Sequence, residues 1–308
     1  MKTKLFSAIL LITLTTFGLF GLMSSVQAAP QPTKKAILVV SFGTTFPETR
    51  KLTIEAVEKK IQQAFPDYEV RRAFTSRIII KTLAERDGIK VENEKQALDR
   101  LQAEGYKEVI VQPLHISPGE EFDMVKEAVQ TYQKAKAFDN IVLGRPILYY
   151  LGQGDKPDDY MKAFQAVKTQ FPQLKNQEAV VLMGHGGVHP GSAAYAALQY
   201  KLSQAGVNNV FVYTVEGCPA LEDIIGQLKA NKIKKVTLMP LMLVAGDHAT
   251  NDMAGDEKDS AKSILTAAGF KVEAYVHGLG ENPGIQEIYV QHVKDAIEQL
   301  NQKADKNH

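Results

Sequence analysis

The sequence predicts an α/β protein made of two similar halves, each a parallel sheet flanked by helices. Three observations carry this reading. Short β-branched runs alternate with amphipathic helical stretches through most of the 308 residues. That alternation restarts near the middle of the chain. The two parts also share a strand signature that ends in the same breaker. Strand–helix alternation of this kind implies parallel strands joined by helical crossovers.

In the first half, residues 36–40 (AILVV) form a near-continuous apolar run, as in a strand buried on both faces. Residues 47–64 read as a helix, with Ile54, Val57, Ile61 and Ala64 spaced three and four apart. Residues 68–74 read as a strand, 97–105 as a helix closed by Gly105, 108–112 as a strand, 124–137 as a helix and 141–143 as a short strand. In the second half, strands are expected at 179–183, 210–214, 235–243 and 272–276, with helices at 193–205, 220–230, 256–268 and 285–300.

The segment EVIVQPL at 108–114 parallels KVTLMPL at 235–241, and Gly119 and Gly246 follow the two prolines at the same offset. Two runs that share both pattern and breaker point to an internal duplication. The joint falls near residues 152–158, where Gly152, Gly154 and Pro157 sit beside charged residues. The expected organisation is an N-terminal α/β domain at 29–152 and a C-terminal one at 153–308, after a signal peptide at 1–28.

That signal is expected because Lys2 and Lys4 precede an uncharged, mostly apolar stretch at 5–23, and Ala28 offers a cleavage site. No later segment is long and apolar enough to span a bilayer. A protein outside the cytoplasm, in the periplasm, is therefore expected, with no membrane contact after cleavage. The 36 basic and 35 acidic residues are interspersed without a basic stripe, which argues against a nucleic-acid partner. Cys218 is the single cysteine, so no intramolecular disulfide forms.

Ligands of open α/β sheets bind beyond the C-terminal ends of the strands. In the second half, three successive strands end in GHGGVHPG (184–191), VEGCP (215–219) and VAGDHATND (244–252). They deliver His185, Glu216 and His248, spaced 31 and 32 residues apart, to one sheet edge. Two imidazoles and a carboxylate suit Co(II), Fe(II), Ni(II) or Zn(II), and three protein ligands leave the metal open positions. The flanking glycines, Gly186 and Gly187 among them, give a flat ligand access to the backbone. His185-Gly186-Gly187 is similar to an esterase oxyanion loop, but no G-x-S-x-G follows a strand. The loop also lacks the Lys and Ser/Thr of a phosphate-binding P-loop. His189 is a candidate to line the cleft. In the first half, the strand-end residues Ser41, Phe42, Gly43, Arg77 and His115 are candidates for substrate contact, with Arg77 as a carboxylate anchor. Thr45 and Ser76 also read as helix N-caps.

The runs AILVVSFGTTFPETR (36–50) and VQPLHISPGEEFDM (111–124), with the loops GHGG, VEG and GDHATNDM, resemble the anaerobic sirohydrochlorin cobaltochelatases of the CbiK type, within the class II chelatases. The resemblance covers nearly all the chain after the signal. It implies two chelatase-like halves of flavodoxin or Rossmann type, with a tetrapyrrole bound in the cleft between them. It implies a lyase that inserts Co(II) into sirohydrochlorin without ATP on the route to cobalamin. It assigns the metal to His185, Glu216 and His248. The export signal matches a periplasmic variant, some members of which bind haem and form tetramers. A homo-oligomer is therefore expected, and His115 is a candidate haem ligand. Two alternatives stay open: insertion of Fe(II) to give sirohaem or a haem precursor, and a non-catalytic tetrapyrrole or metal carrier.

Overall fold

A computed structural model describes residues 33–305. The expected signal peptide lies outside the described residues. The first half runs β1 (Lys35–Ser41), α1 (Pro47–Leu52), α2 (Ile54–Ala64), β2 (Glu69–Phe74), α3 (Arg77–Asp87), α4 (Glu94–Ala103), β3 (Glu108–Pro113), α5 (Glu120–Lys134) and β4 (Asn140–Leu143). Next come α6 (Asp159–Lys168), β5 (Glu178–Gly186), α7 (Ala193–Gln204), β6 (Val210–Glu216), α8 (Leu221–Ala230), β7 (Lys235–Pro240), α9 (Ala261–Ala267), β8 (Lys271–Ala274) and α10 (Pro283–Asp305).

The strands form two four-stranded parallel sheets in the orders β2-β1-β3-β4 and β6-β5-β7-β8. The registers repeat too. Val40 pairs with Pro113 in one sheet and Met183 with Pro240 in the other. Just beyond, the Leu114 N–H donates to the Val40 carbonyl at 2.7 Å, and the Leu241 N–H to that of Met183 at 2.7 Å. Proline has no N–H, so it ends a strand, and the leucine after it makes the last rung. In each sheet the strand order reverses beside the first strand, between β1 and β3 and between β5 and β7. Crevices open at such reversals, beyond the strand ends.

The run at 36–40 is buried on both faces, as expected. Ile37 and Val39 pack with Ile54, Val57 and Ile61, while Ala36, Leu38 and Val40 pack with Leu98, Leu101, Val125 and Val129. Removing such side chains from water, at about 25 cal/mol per Å² of apolar surface, is the main stabilising force.

Four elements differ from the sequence reading. The helix expected at 47–64 is two helices, broken at Thr53 (φ −115°, ψ −80°). The Thr53 hydroxyl donates to the Thr49 carbonyl at 2.5 Å, the local bond by which Thr competes with regular helix. The helix expected at 256–268 is confined to α9, capped by Ser260. α3 and α6 were not anticipated. In α3 only Leu83 is fully buried, with Ile79 and Ile80 half-buried against the same core, so its apolar face is short. α6 buries Tyr160, Ala163, Phe164 and Val167 at helical spacing, next to a joint that reads as linker.

α10 starts beyond the second sheet, packs on α6 and crosses to the first half, where it packs on α2, β3 and β4. The Tyr289 hydroxyl donates to the Leu114 carbonyl at 2.8 Å. Asp295 binds Arg145 at 2.7 Å, and Arg145 also holds the buried Asp159 at 2.8 and 3.2 Å. The described residues, 33–305, accordingly form one compact unit. The joint is held as well: Lys201 donates to the Leu151 carbonyl at 3.0 Å and binds Asp158 at 2.8 Å. No described helix is long and apolar enough to cross a membrane.

Candidate metal-handling site

The site is built on the end of β5. Gly186 pairs with Glu216 across to β6, and the Gly187 N–H donates to the Glu216 carbonyl at 2.8 Å. Gly186 has φ +83°, and a Cβ there would stand 1.8 Å from the Glu216 carbonyl oxygen. The sequence reading gave this glycine to ligand access, but its close neighbour is the protein's own backbone. Gly184 is required in the same way: a Cβ would stand 2.3 Å from the ring of Tyr195 on α7. Tyr195 is buried, and its hydroxyl engages Ser117 and the backbone of His185 and Gly186. Sequence reading missed this residue, since an apolar helix face hides a tyrosine with a polar task.

His185 lies at the end of β5 and His248 in the loop after β7, so the two residues flank the point where the strand order reverses. Their rings meet edge to face, with centroids 4.8 Å apart and planes at 87°. His185 is exposed, and His248 keeps 39% of its side-chain surface. His248 opens a π-helical turn, Ala249–Met253, anchored by the fully buried Ala249 and Met253. Its Nδ1 lies 2.5 Å from Oδ2 of Asp252, one turn on. Asp252 was also missed. The signal available was its four-residue spacing from His248, which a helical turn converts into contact.

Glu216 is exposed at the end of β6, on the far side of β5 from β7. Equal spacing predicts three side chains gathered at one height. The structure brings the two imidazoles together, while Glu216 stands on the opposite flank of β5 from His248. Among the described residues no three His, Cys, Asp or Glu side chains close into a ready metal cage. Two hollows, of about 260 Å³ between α5, β4 and α10 and about 780 Å³ along β2, lie away from these residues.

The first half reaches the same edge. A Cβ on Gly191 would strike the Pro118 carbonyl at 2.0 Å, so the loop after β3 lies against the loop after β5. His189 belongs to this seam. Its Nδ1 accepts from the Gly191 N–H at 3.0 Å, and its Nε2 lies 3.3 Å from Asp123 on α5. The β1 loop presents Phe42, 47% exposed, while Ser41 is buried with its hydroxyl unpartnered. Gly43 (φ +97°) lies over the Phe74 ring, where a Cβ would stand 2.6 Å away. Ser76 caps α3 as expected, but it is Thr44, rather than Thr45, that accepts from the Phe46 N–H near the start of α1.

Two candidates need correction. Arg77 is held by Glu94, a buried carboxylate that accepts from both its terminal nitrogens at 3.0 and 2.7 Å. One donor on each terminal nitrogen is thereby engaged within the protein, so the structural task of Arg77 is to neutralise Glu94. Both ring nitrogens of His115 are buried and lack a partner. Burial pushes its pKa down to about 4. An iron approaching from solvent meets neither nitrogen, so His115 does not fit a haem ligand.

The doubled sheet and its strand-end donors define a chelatase-type protein, and solved structures agree on the fold. SirB from Bacillus subtilis with Fe3+ superposes with a TM-score of 0.57 at 17% identity, covering 86% of this chain and 96% of that one. A multi-domain Deinococcus radiodurans protein, described as structurally similar to chelatases, gives 0.57 at 13% identity over 86% of this chain and 55% of its own. More specifically, residues 35–298 match the cobalt chelatase (CbiK) family, to which the chain belongs. A sirohydrochlorin cobaltochelatase of Salmonella typhimurium is 42% identical over 264 residues, 86% of this chain and 97% of the relative. The sirohydrochlorin cobaltochelatase CbiKC of Nitratidesulfovibrio vulgaris is 34% identical over 269 residues, 87% and 92% of the two chains.

Proposed function

We propose that this protein inserts Co(II) into sirohydrochlorin without ATP, with His185, Glu216 and His248 handling the metal. The observation that carries the reading is the His185–His248 pair, 4.8 Å apart beside the sheet's reversal point. Membership of the cobalt chelatase family and the names of its two relatives support the substrate pair.

Insertion must strip water from Co(II), present the ion to the ring face and remove two pyrrole protons. Neutral imidazoles serve the first need as borderline ligands and the last as bases near neutral pH. The Glu216 carboxylate adds charge for the cation and completes a three-donor set that still leaves open positions. A flat macrocycle is served by an exposed edge, and the loop after β3 meets the loop after β5 from the other half. Enclosure between the halves strengthens each charge interaction. Oxygen and nitrogen donors do not by themselves separate Co(II) from Fe(II), so both ions belong in the assay.

Export to the periplasm with cleavage after Ala28, and assembly as a homo-oligomer such as a tetramer, complete the proposal. Fractionation with N-terminal sequencing and light scattering read these two out.

The deciding experiment is absorbance-monitored metal insertion by purified protein with sirohydrochlorin in excess. Many turnovers with Co(II) are expected, and His185→Ala should abolish them with the fold intact. Saturation at one equivalent would make the protein a carrier, and an unchanged rate in the variant would remove His185 from the chemistry.

A further inference from the structure

We infer that Asp252 is a positioning residue for the metal site, fixing the imidazole of His248 so that its Nε2 lone pair faces the incoming ion. The inference rests on the proposed role of His248 and goes beyond it by naming the group that orients it.

Three observations carry it. Asp252 Oδ2 lies 2.5 Å from His248 Nδ1. A carboxylate oxygen accepts, so Nδ1 carries the proton, and the neutral ring must then keep its lone pair on Nε2. Metal-binding imidazoles commonly rely on such a partner, which fixes both tautomer and ring plane.

The contact is also built in rather than incidental. Ala249 and Met253, on the inner side of the same turn, are completely buried, while Asp252 and His248 lie toward solvent. The turn is π-helical, a wide winding that is rare and concentrates at functional sites. Its first residues are tied down by the Asn251 side chain, which donates to Asp247 at 2.8 Å, and by the Thr250 hydroxyl, which reaches the Gly246 and Asp247 carbonyls.

The third observation comes from β6, on the other flank of β5. Tyr213 on β6 has a buried hydroxyl with no partner, and the Asp252 charge acts on it. That places a donor within the field of the same carboxylate, on the strand that carries Glu216. The carboxylate that holds His248 thus also acts on the strand that carries Glu216.

By contrast, His185 has no carboxylate partner among the described residues; its Nδ1 lies 3.3 Å from the Gly186 carbonyl. The two imidazoles are oriented by unlike means, and only His248 depends on a side chain. Removing Asp252 frees that ring to rotate and to swap tautomers without touching His185.

The test uses the whole protein with Co(II) and sirohydrochlorin, comparing wild type with Asp252→Ala, Asp252→Asn and Asp252→Glu. Asp252→Ala should raise KM for Co(II) by about 10- to 100-fold, as loss of such partners does elsewhere. KM for sirohydrochlorin should stay within twofold, and the melting temperature should be nearly unchanged at this exposed position. Direct Co(II) titration of the protein without tetrapyrrole should show the same loss. Asp252→Glu should recover part of the affinity, with Asp252→Asn in between. In a His248→Ala background, Asp252→Ala should cost nothing more.

An unchanged KM for Co(II) in Asp252→Ala, with an active wild type, overturns the positioning role and leaves the chelatase reading standing. Equal loss for both substrates, or a further loss in the His248→Ala background, overturns it as well. An inactive wild type that still binds Co(II) would sink the proposed function instead. The Co(II) titration of the variants would then decide the role of Asp252 alone.

Discussion

Gly186 and Glu216 approach so closely that a methyl group on the first would stand 1.8 Å from the carbonyl oxygen of the second. This contact holds the end of β5, and with it His185, against the end of β6. Gly186→Ala adds that clash to a left-handed backbone (φ +83°) that disfavours a side chain. Together they should cost about 2–4 kcal/mol in stability. Urea unfolding measures this, and Co(II) insertion should fall further than stability alone explains, because His185 moves with the strand. A variant as stable and active as wild type would mean that the strands part freely.

Arg77 separates two roles by experiment. Removing it leaves the buried Glu94 carboxylate without its bidentate partner. Arg77→Gln should destabilise by roughly 2 kcal/mol, less than a fully buried pair because Arg77 is 47% exposed. The double variant with Glu94→Gln should regain most of that loss. A substrate anchor would behave differently, raising KM for sirohydrochlorin at unchanged stability.

Acid should destabilise the fold through His115. Its folded pKa of about 4 lies below the roughly 6.5 of the free side chain. The unfolded chain therefore takes up a proton first as pH falls. The stabilising contribution is complete above about pH 6.5 and is lost between there and pH 4, worth up to about 3 kcal/mol. His292, also lowered chiefly by burial, acts in the same direction. His115→Phe should flatten the fall in unfolding free energy between pH 7 and 4.5. It should cost little at pH 7, because neither ring nitrogen has a partner to lose. An unaltered slope would show that His115 takes no part.

Arg145 should be the most sensitive charged position outside the site. It neutralises Asp159, which is fully buried, and also grips Asp295 on α10. Arg145→Met should cost about 3–5 kcal/mol by leaving a buried carboxylate unpaired. Chemical unfolding monitored across the variant would show the loss; a near-neutral effect would mean that water reaches Asp159.

Much of this was legible in the sequence because it depends on local pattern. β1, β3, β5 and β7 are buried on both faces and read as apolar runs, and the two prolines mark equivalent strand ends. His185 and His248 were findable because strand ends are where sheet ligands bind. What the sequence hid depends on contacts between distant residues. The Thr53 break lies where a Cβ on Gly280 would be 2.7 Å away, which no local pattern reveals. Arg77 reads as a free cation until Glu94 is seen beside it. Gly186 reads as space for a ligand until Glu216 is seen occupying that space. Asp252 alone was within local reach, hidden because the loop after β7 carries no helical signature.

The placement of α10 has a consequence for how the molecule is made. Synthesis completes β1 through β4 early, yet the helix that shields one side of that sheet emerges only after all eight strands. Until it arrives, part of the apolar surface that it covers, including that around Ile110, Leu114 and Ile147, waits in water or with a chaperone. Closure of the amino-terminal half thus waits for α10, and a ribosome stalled before residue 283 would hold a half that cannot close.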